Sequence, residues 1–217
     1  MPDTQPSPET PIAPVTPPIK RRRDSVRSTL ATLSILVIAP IVALVLTAFV
    51  FQSYQVDGPS MQTTLSNNDR LIVWKLPRTW ARITGHAYVP KRGDVVIFVG
   101  GQQIANFGEN SNKQLIKRVI ALPGERVQIK DGGVIVYNAA HPGGFDPDQT
   151  LAYGKVIGDT EPMNTNGIIT LGRNQIFVCG DNRPDSLDSR SFGAVNLNQV
   201  VGKLIVRILP LGDAKRF

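Results

Sequence analysis

Hydrophobic positions follow two regimes along this chain. From Leu30 to Phe51 they run almost unbroken with no charged residue. As a helix rising about 1.5 Å per residue, this stretch is about 33 Å long, enough to cross a hydrocarbon layer of about 30 Å. Pro40 kinks such a helix without forbidding it. Farther on, apolar residues alternate with polar ones or gather in short runs at Arg70 to Lys75, Asp94 to Val99, Gln114 to Ala121, Arg126 to Lys130, Val134 to Tyr137, Ile176 to Cys179 and Val200 to Leu209. These patterns predict strands, and long helical periodicity is missing. Asp131-Gly132-Gly133 predicts a hairpin turn between two of the runs. The expected fold is mostly β: a β-sheet domain over residues 52–217 behind one transmembrane helix over 29–51.

The flanks set an orientation. Residues 1–28 are Pro-rich and then basic, with seven prolines before Lys20-Arg21-Arg22-Arg23; too little apolar surface offsets the entropy of ordering, so this tail is expected to be disordered. No Lys or Arg follows from Thr29 until Arg70, so the tail stays on the cytoplasmic side and the β domain is exported. A cleaved secretory signal is the rival reading, but its apolar core spans about 7 to 15 residues. The Gly- and Pro-rich stretch 138–166 reads as an irregular excursion within the domain.

Of the formal charge of +7, the first 28 residues hold five Lys or Arg against three acids, and the roughly +5 that remains is scattered among acids, which argues against nucleic-acid binding. A lone Cys179 excludes an internal disulfide and a Cys-based structural zinc site. His86 and His141, both among turn formers, lack an obvious orienting acid for a triad. Two histidines and one cysteine are also a poor basis for catalytic zinc. No metal or cofactor is expected, and a general base other than histidine must be sought.

Gln114 to Ala121 puts a lysine in apolar company, with Lys117 on the face of Leu115 and Val119. Desolvation disfavours the ammonium, so Lys117 reads either as a proton acceptor near neutral pH or as a strand residue whose head snorkels to water. Arg118, on the opposite face, stays charged and suits a structural ion pair. Val56-Asp57-Gly58-Pro59-Ser60-Met61 is a turn that exposes Ser60; by local chemistry alone this is an ordinary turn serine. A third cluster, Gly180 to Arg190, packs three acids and two arginines into a loop that either stays solvated or is laced rigid by its own charges.

These three clusters behind an N-terminal anchor resemble the type I signal peptidases, Ser-Lys proteases that remove signal peptides from exported proteins. Ser60-Met61-Gln62-Thr63-Thr64-Leu65 looks like the family's nucleophile box, with Thr63 where proline is usual. Ile116 to Glu125 looks like the lysine box, and Asp69 to Lys75 and Arg92 to Val96 like two structural strands. Gly180 to Arg190 looks like the final box, with Pro184 where an acid is common; Phe192 replaces a different aromatic. The resemblance implies Ser60 as nucleophile, Lys117 as base and a hydrogen bond from Ser186 that orients Lys117. It implies structural roles for Arg118, Asp181, Asp188 and Arg190, and substrate contacts from Val56, Asp57, Met61, Leu65, Leu115 and Ile116. Gly58 stands where some members carry an oxyanion-binding hydroxyl, leaving that task to backbone, chiefly the Ser60 N–H. The implied partners are signal-peptide-bearing preproteins cut after small residues, membrane lipid and a nearby secretion translocon; the implied place is the cytoplasmic (inner) membrane. Rival readings are a self-cleaving Ser-Lys protein of the repressor type and a catalytically silent anchored binding module.

Overall fold

The computed structural model describes residues 21–85, 88–150, 156–161 and 167–217. The tail before Arg21, His86 and two pieces of the 138–166 excursion lie outside the described residues. The chain divides into two units after Leu44. In the first, the uncharged run forms helix α1, Arg21–Val45, with Pro40 inside it. A π-helical turn over Leu46–Val50 prolongs it, so the apolar span covers Ser28–Val50 with mean hydropathy 2.8. That length and composition suffice to cross a membrane. Phe51, placed in the span by sequence, instead opens a strand, because its backbone pairs with Trp74.

The second unit, residues 45–217, rests on two antiparallel sheets. Its strands are β1 (Phe51–Gln55), β2 (Arg70–Trp74), β3 (Val95–Val99), β4 (Gln114–Ala121), β5 (Arg126–Lys130) and β6 (Gly133–Tyr137). After the excursion come β7 (Ile169–Thr170), β8 (Gln175–Cys179), β9 (Val195–Asn196), β10 (Val200–Leu209) and β11 (Lys215–Arg216). The large sheet has the order β1-β2-β10-β3-β4-β8-β9, with β11 on β10; the small one is β6-β5-β7. Every predicted strand forms within a residue of its expected ends. The predicted hairpin pairs Lys130 with Gly133, and Asp131 (φ 52°) and Gly132 (φ 73°) both take the left-handed conformation that a two-residue turn of this twist demands.

The short helices escaped the periodicity analysis. They are α2 (Leu76–Thr84), α3 (Gly101–Ala105), α4 (Pro147–Thr150) and α5 (Ser189–Phe192). Among these only α2 exceeds two turns, started by a proline in its first turn and stopped by Gly85 at φ 72°.

The core explains how charge comes to be buried. Val96, Phe98, Val119, Ile176 and Val178 belong to one apolar cluster, while Ile120, Ala121, Val127, Val136 and Phe177 form another that joins the two sheets. Val119 and Ile120, successive residues of β4, thus point into different apolar clusters, as a strand covered on both faces requires. A third cluster, with Val56, Met61, Leu65, Leu71, Val95 and Leu204, lies beneath the turn that carries Ser60.

Candidate active site

Ser60 and Lys117 meet although 57 residues separate them: Lys117 Nζ donates to Ser60 Oγ at 2.7 Å. Ser60 is held from below. Met61 and Leu65 are fully buried, Leu65 N donates to Met61 O at 2.8 Å, and Gln62 N to Pro59 O at 3.0 Å. The two apolar side chains plug the segment into the core and leave the serine hydroxyl at the surface of a cleft. Gly58 has φ +99°, a conformation other residues rarely adopt, and its N–H donates to Asn67 Oδ1 at 3.0 Å. That amide is therefore not available to an oxyanion. The Ser60 N–H has no partner among the described residues.

Lys117 is 3% exposed and pairs across the sheet with Val96. Burial pulls its ammonium pKa down to about 8, against the opposing fields of Asp188 and Asp181. The snorkelling alternative fails on this burial. Cys179 shares the neighbourhood, but burial pushes its thiol well up, so it supplies no thiolate. His141 is exposed, bound to Asn138 and in tilted ring contact with Phe145 at 4.6 Å between centroids.

Arg118, 2% exposed, makes the expected ion pair. Its Nε donates to Asp181 Oδ1 at 2.7 Å and its Nη2 to Oδ2 at 2.5 Å, while Nη1 reaches Gly93 O at 2.8 Å. Thr64, four residues after Ser60, donates to Asp181 Oδ2 at 2.5 Å. One carboxylate thus ties the serine segment to the lysine strand. Asp188 closes a second ring: Arg190 Nε donates to its Oδ1 at 2.8 Å, and Gly180 N to its Oδ2 at 3.0 Å. The 180–190 loop is laced rigid, not solvated.

Gly180 is where loop and serine turn come closest. A Cβ there would lie 2.4 Å from Ser60 O and 2.2 Å from Ser186 Oγ. Asn182 N donates to Ser60 O at 3.1 Å. Ser186 departs from expectation: its Oγ is buried beside Gly180 without a hydrogen-bond partner among the described residues, and the implied bond to Lys117 is not made. The lysine's hydrogen bond goes instead to Ser60.

The excursion, unexplained by sequence, braces this loop. Arg183, fully buried, pairs with Asp148 of α4 at 2.6 Å and also donates to Thr160, both excursion residues, while its Nε donates to Gly180 O at 3.0 Å. Ile157 N donates to Asp181 O at 2.8 Å, and Arg183 N to Ile157 O at 3.0 Å. Removing Asp148 leaves a buried guanidinium short of its counter-charge. Asp148→Ala is expected to cost about 1–3 kcal/mol and to lower kcat more than it raises KM; thermal unfolding and cleavage kinetics check both.

Beside Ser60 lies a cleft of about 420 Å³, walled by Val56, Asp57, Leu115 and Ile116 as expected, with Tyr54, Leu71, Ile97 and Leu187 added. Met61 and Leu65 are not in its wall; the packing that fixes Ser60 consumes them. Tyr54 and Ile97 were missed because they come from β1 and β3, whose approach to β4 no local pattern reveals. Among the described residues no group of three His, Cys, Asp or Glu side chains converges for a metal.

Comparison with known proteins identifies a family for the chain. Residues 29–209 match the family described as signal peptidase, peptidase S26. Signal peptidase I of Bacillus caldolyticus is 35% identical over 175 residues, covering 80% of this chain and 87% of its own. Signal peptidase I of Leptolyngbya laminosa is 32% identical over 174 residues, covering 79% and 75%. The crystal structure of a signal peptidase I from Enterococcus faecalis is 26% identical and covers 54% of this chain and 98% of its own, at a TM-score of 0.37 that adds nothing on the fold. With a family match over most of its length and relatives this similar along their own, the chain belongs to the signal peptidase family, peptidase S26, and is a serine endopeptidase.

Proposed function

We propose that this endopeptidase removes signal peptides through a Ser60/Lys117 dyad while anchored by residues 28–50, with the N-terminus inside and the β domain outside. The observation that carries this reading is the 2.7 Å contact between Ser60 Oγ and a lysine that is 3% exposed. Neutral Lys117 takes the Ser60 proton as Oγ attacks the scissile carbonyl, and protonates the leaving amine as the acyl-enzyme forms; water then hydrolyses the ester with Lys117 again as base. The Ser60 N–H faces the developing oxyanion, where one such donor is worth about 3 kcal/mol. The Arg118–Asp181 and Asp188–Arg190 pairs position the lysine strand and the loop without reacting. The shallow apolar walls given by Val56, Leu115 and Ile116 suit small side chains before the cut, and anchoring brings the site to a membrane-embedded signal peptide close to the secretion translocon.

Incubating the full-length enzyme in detergent with a preprotein and sequencing the new N-terminus tests the reaction; no cleavage, or cleavage after bulky residues, overturns it. The pH profile tests the base. Because the neutral lysine is the active form and its pKa sits near 8, kcat/KM should rise tenfold per pH unit below about 8 and level off above. A profile already flat at pH 6 would exclude Lys117 as the base.

A further inference from the structure

Helix α2 has the sequence Leu76-Pro77-Arg78-Thr79-Trp80-Ala81-Arg82-Ile83-Thr84. Leu76, Trp80 and Ile83 fall at i, i+4 and i+7, a single stripe along the helix. A short helix in a soluble domain is stabilised mainly by burying such a stripe. Here Leu76 is 39% exposed, Trp80 64% and Ile83 74%.

The start of α2 is fastened to the C-terminal end of the apolar span. Lys75 N donates to Val50 O at 2.7 Å, Lys75 Nζ to Ala48 O at 2.9 Å and Thr79 Oγ1 to Phe49 O at 3.1 Å. Ala48, Phe49 and Val50 are the last three residues of the span, so α2 sits at the end of the apolar run. Phe49 and Phe51, 54% and 37% exposed, extend the apolar surface around it. Between Val45–Val50 and α2 runs a groove of about 760 Å³ whose wall includes Tyr54 and Gln114, and both of these also line the cleft beside Ser60.

We propose that α2 is an interfacial helix whose Leu76–Trp80–Ile83 stripe inserts into the headgroup boundary of the bilayer, docking the catalytic unit so that its cleft opens at the membrane surface. Lipid is the occupant because the exposed stripe continues from a span whose surroundings are themselves lipid. Tryptophan is enriched at that depth, and a short helix with an apolar stripe and basic neighbours has the composition of a helix lying in the interface. The proposal rests on the reading of residues 28–50 as a membrane anchor.

The test uses full-length protein carrying Trp74→Phe, so that Trp80 alone fluoresces, reconstituted in phosphatidylcholine vesicles and recovered by flotation. An apolar face about 5–10 Å deep predicts that lipids brominated near the headgroup end of their chains quench Trp80 by about half, and lipids brominated near the chain ends far less. Iodide in the water should have little effect. Flotation with Trp80 quenched by iodide and not by bromolipid overturns the proposal and leaves the anchor intact. Shielding from both quenchers also overturns it, pointing to a protein partner. Failure to float overturns the anchor reading and this proposal with it. If Trp74→Phe does not fold, Ile83→Cys carrying an environment-sensitive label reports the same depth, since Cys179 is buried and does not compete for label.

Discussion

Lys117→Met is expected to abolish preprotein cleavage, by about 10⁴-fold or more, while making the protein more stable at neutral pH. The activity loss follows from the roles of the pair: without a base the hydroxyl keeps its proton, and losing either member of such a unit costs about as much as losing both. Ser60→Ala should therefore match it, and the double variant should be no worse. The stability gain follows from burial. An unfolded lysine holds its proton up to about pH 10.5, whereas folded Lys117 releases it near 8. Below pH 8 the folded state carries the full penalty of a buried ammonium, about 3 kcal/mol from the difference in proton affinity. Between 8 and 10.5 the unfolded chain binds more protons than the folded one, so wild-type stability rises with pH through that window. Methionine removes the penalty and forfeits one hydrogen bond worth about 1 kcal/mol, for a net gain of about 2 kcal/mol at pH 7 that is gone by about pH 10. Urea denaturation of the two proteins at pH 7 and pH 10 measures it. Near-normal turnover by Lys117→Met or Ser60→Ala would end the dyad proposal.

Asp181→Ala is expected to produce the largest loss of stability, about 3–5 kcal/mol, together with loss of activity. Arg118 is 2% exposed and Asp181 0%, so truncating the carboxylate strands a guanidinium where water does not reach. The same change removes one of the two ties between Thr64 and the lysine strand, leaving the bond that Thr64 Oγ1 accepts from Arg118 Nη2 at 3.0 Å. Replacing both partners, as Arg118→Met with Asp181→Leu, should recover much of the stability, because an apolar pair needs no counter-charge. Activity should not return with it, since the tie between the two strands is still missing. Chemical denaturation and cleavage assays on the single and double variants separate the two effects.

How far the site was legible differed by residue. Lys117 was visible as a lysine inside an apolar strand. Arg118 was visible as its structural neighbour, because alternation along a doubly covered strand is a local property. Ser60 read as an ordinary turn serine; only its resemblance to a family box singled it out, and Met61 and Leu65 were then misread as pocket wall. A buried side chain and a cleft-lining one look alike in sequence, since both are apolar and close to the reacting group. The excursion was opaque for the opposite reason. Asp148 and Thr160 are polar residues in a loop-like stretch, and their partner Arg183 lies beyond them in a different segment.

The apolar span, the seven strands and the hairpin turn were determined by sequence alone, because they depend on periodicity, composition and backbone preference within a few residues. Only the tertiary structure decided what lies across from what. It buried Lys117 enough to lower its pKa, set its Nζ 2.7 Å from Ser60 and left Ser186 Oγ without a hydrogen-bond partner among the described residues. It also committed the Gly58 amide to Asn67. Each of these depends on contacts between segments distant in the chain, where burial and hydrogen-bond geometry, not local propensity, determine the chemistry.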